Sequence, residues 1–131
     1  MAIECRGLDV SFEANEDLTS DQYRIVVLDP TTGCVRRPDA ATDMPLGVLQ
    51  NAPDDGQAAV VRLIGCGGIS KIVPGATLTV GMHVSMEYNS ASDAGKAIDC
   101  ASASYPVGII LEGGDEDSLV ACLLTPITVH V

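Results

Sequence analysis

A chain of 131 residues with 18 acidic and 7 basic side chains has a formal net charge of −11, and that acidity repels phosphate backbones and excludes nucleic acid as a partner. It is 47% hydrophobic but only 3% aromatic, so one domain's core has to come from Val, Ile, Leu, Ala and Met. No apolar run is long enough for a membrane-spanning helix, and the start MAIECRG has no basic segment leading into an apolar one, so a soluble, unexported protein with no membrane partner is expected.

In chain order, residues 1–15 alternate weakly (Ile3, Cys5, Leu8, Val10, Phe12) and read as an N-terminal arm or edge strand, ahead of a single β domain over 16–131. Glu16–Asp21 reads as a turn or a capped helical turn. Gln22–Leu28 is a buried strand by its β-branched content, and Asp29-Pro30-Thr31-Thr32-Gly33 turns it into a return strand at Cys34–Arg36. Arg36-Arg37, the adjacent basic pair, is expected to be solvated. After a polar loop at Pro38–Met44, a hairpin runs from Pro45-Leu46-Gly47 through Asn51–Gly56 into Ala58–Leu63. Ile69–Val73, Leu78–Tyr88 and Lys96–Ala101 read as further strands. A second hairpin then runs from Tyr105–Leu111 through Glu112–Asp117 into Ser118–Leu124, and Pro126–Val131 closes the chain with alternating apolar residues.

The hairpins repeat one another. Pro45 and Pro106, Gly47 and Gly108, and Leu63 and Leu124 are each 61 positions apart. Leu18 and Leu78, Tyr23 and His83, and Val26 and Met86 are 60 apart, and Gly33 and Gly95 are 62 apart. Two pseudo-repeated halves, about 18–63 and 78–124, therefore predict an all-β fold, a small barrel or sandwich.

Few residues invite chemistry. Gly65-Cys66-Gly67-Gly68 places a thiol among glycines, as a nucleophile would need, but neither His83 nor His130 lies in a loop suited to a base, so a glycine bend is expected. Asp54-Asp55 and Asp115-Glu116-Asp117 sit at equivalent hairpin tips without the alternating pattern of a calcium loop, and His83 has no second ligand nearby in sequence. Lys71 reads as an exposed strand-end lysine. Five cysteines (Cys5, Cys34, Cys66, Cys100, Cys122) with no C-x-x-C argue for reduced thiols over a disulfide framework or zinc site. No catalytic residue, metal or cofactor is expected.

Four segments, FEANEDLTSDQYRIVVLD, PLGVLQNAPDDGQAAVVRLIG, GISKIVPGATLTVGMHV and PVGIILEGGDEDSLVACLLTP, resemble the capsid cement (head decoration) proteins of tailed bacteriophages, from Phe12 to Pro126. The resemblance implies a β-tulip fold. It also implies a homotrimer on the outer surface of the mature virion head, gripping neighbouring major capsid protein subunits. The cysteines and the GCGG stretch depart from that family's pattern. On this reading the arm would dock on the capsid by strand addition through Ile3, Glu4, Leu8, Val10 and Phe12, and removing Met1–Val10 would leave the fold intact. Two rival functions are a carbohydrate- or ligand-binding β-module on the head surface, for which Tyr23, Tyr88 and Tyr105 are the only aromatic platforms for a sugar, and a thiol enzyme using Cys66.

Overall fold

Short β-branched runs separated by Pro, Gly and Asp turns fold here as antiparallel strands. The computed structural model describes residues 7–100 and 104–125. Its strands are β1 (Asp9–Glu13), β2 (Ile25–Leu28), β3 (Val35–Arg36), β4 (Pro45–Leu49), β5 (Ala58–Leu63), β6 (Ile69–Ile72), β7 (His83–Met86), β8 (Ala97–Asp99), β9 (Gly108–Glu112) and β10 (Val120–Leu124). They form two five-stranded sheets, β1-β5-β4-β2-β3 and β6-β10-β9-β7-β8. The second order is the first with every strand advanced by five.

Register repeats with order. Gly47 faces Leu63 as Gly108 faces Leu124, keeping the 61-residue offset of the hairpins. Asp9 faces Arg62 as Ile69 faces Leu123, so β1 and β6 are counterparts and the structural repeat starts before Leu18. The offset changes between them. Ile25 faces Val48 as His83 faces Ile109, which matches Ile25 with His83 and Val26 with Val84, 58 apart. The sequence match of Tyr23 with His83 and Val26 with Met86 is therefore two residues out. The passage from Leu78 to β7 is shorter, and it turns at Gly81 (φ 86°) where the first half turns at Tyr23 (φ 65°). The N–H of Tyr23 donates to Leu49 O and that of Gly81 to Ile110 O, so the two turns serve the same purpose. This turn also explains why Leu78–Val84 is not the continuous strand its sequence predicts.

Each sheet curls without closing. A single parallel bridge, Ala14 to Val35 in one half and Pro74 to Ala97 in the other, brings the end of one edge strand to the opposite edge. A barrel would need a full ladder there.

Inside the first sheet lie Ala14, Leu18, Val26, Val35, Leu49, Ala59 and Val61, with Phe12 packed against them. The second sheet encloses Ile72, Leu78, Val84, Ala97, Ile110, Val120 and Cys122, and Ile25, Val27 and Val48 join this cluster from the other face of the first sheet. β2 is thus buried on both faces, which is why it reads as an unbroken apolar run.

Polar contacts lace the seam between the halves. Ile25 N–H donates to Gly95 O, Val73 N–H to Tyr23 O, and Gln50 Nε2 to Ser70 Oγ at 2.9 Å. A side chain at Gly95 would strike Ile25 O, so glycine is required there for close approach as well as for its φ of 86°.

Candidate functional surface

Among the residues expected at a capsid interface, Ile3 and Glu4 lie outside the described residues. Leu8 is 51% exposed and precedes β1. Val10 is half-buried and faces Val61, while Phe12, also half-buried, packs against the first-half core. Asp9 is bound closely, accepting from Arg62 Nε at 2.8 Å and Nη2 at 3.1 Å. Arg62 Nη1 donates onward to Ile69 O at 2.9 Å, so this nearly buried guanidinium joins β1, β5 and the first strand of the second sheet.

That guanidinium explains the GCGG stretch. Gly65 (φ 85°) and Gly67 (φ 79°) turn the chain out of β5 and back into β6. A side chain at Gly68 would stand 3.0 Å from Arg62 Cδ and 3.1 Å from Gly7 N. The glycines are thus the link between the two halves, packed around the Arg62 stem. Cys66 is exposed at the bend, whereas Cys122 fills the core position that Val61 holds in the first half, and burial pushes its thiol up to about 12.

The hairpin tips remain at the surface. Asp54 and Asp55 are exposed, and Asp117 pairs with the nearly buried Lys96 at 2.7 Å. Among the described residues, no group of three or more His, Cys, Asp or Glu is placed to hold a metal ion. His83 is half-buried in β7 opposite Ile109. Lys71 is also half-buried, with its Nζ 5.6 Å from the centre of the Tyr23 ring across the seam, in place of the exposed position expected for it.

The Arg36-Arg37 pair is not solvated as expected. Arg37 Nε donates to Asp21 Oδ2 at 2.8 Å, its Nη1 to Glu16 Oε1 at 2.8 Å, and its Nη2 to Asp17 O. The attraction is to Asp21, a carboxylate only 2% exposed that needs charged partners to stay buried. Burial raises the Asp21 carboxyl above its ordinary range despite Arg37 and Arg24. Among the described residues, Arg36 spends only Nη1, on Arg37 O at 2.9 Å and on Asp43 and Asp39 at 3.4 and 3.7 Å.

Beside this pair lies a cleft of about 270 Å³ lined by Glu16, Arg36, Arg37, Pro38, Asp39, Tyr88 and Ala91. Its far wall belongs to the second half. The loop between β7 and β8 is four residues longer than that between β2 and β3, and the longer loop reaches across, with Arg24 Nη1 donating to Ser92 O at 2.9 Å. The sequence carried only a hint of this site: the offset read from it grows from 60 at Val26 and Met86 to 62 at Gly33 and Gly95. A second cleft of about 280 Å³, lined by Val27, Leu28, Pro30, Arg36, Asp43 and Met44, lies on the other side of Arg36.

No protein-family model matches the chain. No curated protein matches it either. Its fold is similar to that of the N base of head fiber gp8.5 in bacteriophage phi29, with a TM-score of 0.65 over 94% of this chain and 98% of that one, at 18% sequence identity.

Proposed function

We propose that this chain is a structural protein of a tailed-phage head, seated on the outer surface of the mature capsid, where it cements neighbouring major capsid protein subunits as a homotrimer. One observation carries the reading: the likeness to the phi29 head-fiber base runs along nearly the full length of both chains. A fold shared over 94% of this chain and 98% of that one fits a common use as a compact peg on a shell. Resemblance of the four sequence segments to cement proteins points to the same place on the virion. The described surface agrees. Acidic hairpin tips and a net charge of −11 keep such a protein away from packaged nucleic acid, and a core of small aliphatic side chains gains from burial against partners.

Cosedimentation with empty expanded heads of the phage that encodes the chain tests this directly. Saturable binding to expanded heads, with a solution mass near three chains, is the expected result. Failure to bind those heads removes the cement function, and a stable monomer at micromolar concentration removes the trimer.

A further inference from the structure

The head role leaves the cleft between the two halves unused. The fold is duplicated, so each half reports what the other needs for folding alone. Leu18 and Leu78, and Gly47 and Gly108, match because both sheets require them. At the cleft the match fails: by the register of β3 and β8, Arg36 and Arg37 correspond to Ile98 and Asp99. Likewise, Tyr88 and Ala91 come from the second half's loop between β7 and β8, which is four residues longer than its counterpart in the first half. Neither feature is demanded by the repeat.

The chemistry of the lining is specific. Two arginines and two carboxylates balance, so the cleft favours neither a phosphate nor a cation. Arg37 and Glu16 are spent on each other. Arg36 keeps Nε and Nη2 without partners among the described residues, Asp39 presents a largely exposed carboxylate, and no described residue hydrogen-bonds to the Tyr88 hydroxyl. The free groups are therefore a planar donor, an acceptor and an aromatic side chain, with Pro38 and Ala91 as apolar lining. Adjacent hydroxyls on a ring with an apolar face answer all of these at once. At about 270 Å³ the cleft is just below the range of about 300–1,000 Å³ for drug-sized ligands, which suits a single pyranose.

We infer that this seam cleft is a saccharide subsite, taking one neutral pyranose with its apolar face on Tyr88 and its hydroxyls on Arg36 and Asp39. The inference stands independently of where on a head the chain sits. Titration of the isotopically labelled full chain with glucose, galactose, N-acetylglucosamine and N-acetylgalactosamine, followed by amide NMR, tests it. For at least one of these sugars, saturable shifts at Arg36, Arg37, Tyr88 and Ala91 are expected with millimolar affinity. Tyr88→Ala should weaken binding at least about tenfold, Tyr88→Phe should weaken it less, and Arg36→Met should fall between. Tyr105→Ala, on an exposed ring outside the cleft, should leave it unchanged. Absence of a saturable shift with all four sugars overturns the assignment. So does a Tyr88→Ala variant that keeps its native spectrum and binds as well as the parent.

Discussion

Gly47 and Gly108 show how a single residue type can fix a strand position. A side chain at Gly47 would stand 2.2 Å from Arg62 O, and one at Gly108 would stand 2.0 Å from Leu123 O. These are backbone atoms of the neighbouring strand and cannot move aside without breaking the ladder. Gly81 differs, with nothing near its missing side chain but a φ of 86°. Gly47→Ala and Gly108→Ala should each cost about 3 kcal/mol, through overpacking against backbone, and Gly81→Ala about 1 kcal/mol, through conformation alone. Urea denaturation of the three variants measures this. Equal losses at all three sites would show that the close approach in β4 and β9 is not what selects glycine. Tyr23 carries the same left-handed turn as Gly81 without being glycine, and its ring contact with Lys71 offsets part of that conformational cost.

At the scale of elements, β1 belongs to the sheet. It pairs with β5 from Asp9 to Glu13, and Asp9 accepts from Nε and Nη2 of Arg62. Removing Met1–Val10 strips that carboxylate from a guanidinium that is only 7% exposed, and it opens the edge of β5. This pairing argues against the expectation that the deletion spares the fold. Asp9→Ala should cost about 3 kcal/mol, the usual consequence of taking the opposite charge from a buried ion, and removal of Met1–Val10 should cost more. Thermal melts of both proteins check this; an unchanged melting temperature for the deletion would return β1 to the status of a detachable arm. Where the deletion does destabilise the fold, its loss of head binding says nothing about docking, whereas Leu8→Ser tests an exposed anchor without touching the ladder. The repeat was legible in the hairpins because Pro45, Gly47 and their partners 61 positions on carry turn and packing constraints that few residue types satisfy. It was not legible in β1 and β6, where Asp9 and Ile69, or Val10 and Ser70, share no chemistry and only the register shows their equivalence. The cleft was hidden for a different reason: Arg37 and Asp21 are far apart in sequence, and a buried carboxylate cannot be told from a solvated one until both partners are placed.

Over the whole molecule, charge sets the pH dependence of stability. Burial raises the Asp21 carboxyl above its ordinary 3.8, and burial together with Asp93 raises Glu87 above 4.5. A carboxyl with a raised folded value takes up its proton more readily in the folded state, so its contribution is largest at low pH and is lost as pH rises through that window. Asp17, Asp43 and Asp93 behave oppositely. The Thr19 hydroxyl and N–H lower Asp17, and the N–H groups of Ser90 and Asn89 lower Asp93. At Asp43, burial is outweighed by the Asp39 N–H and by Arg36. Their contributions persist until the pH falls below 3.8. Between these limits the net charge of −11 shrinks as acids protonate, relieving self-repulsion. Stability should accordingly rise from pH 7 to about pH 5, then fall below about pH 3.5 as the three lowered carboxylates lose their bonds. At pH 7, raising the salt from 20 to 200 mM, which shortens the screening length to below about 10 Å, should raise the melting temperature, and at pH 5 the same change should do less. Calorimetry on dilute protein across this grid measures both effects. A melting temperature that climbs steadily from pH 4 to pH 7 would mean that neither the raised carboxyls of Asp21 and Glu87 nor self-repulsion governs stability in that range, since the lowered carboxylates contribute fully throughout it.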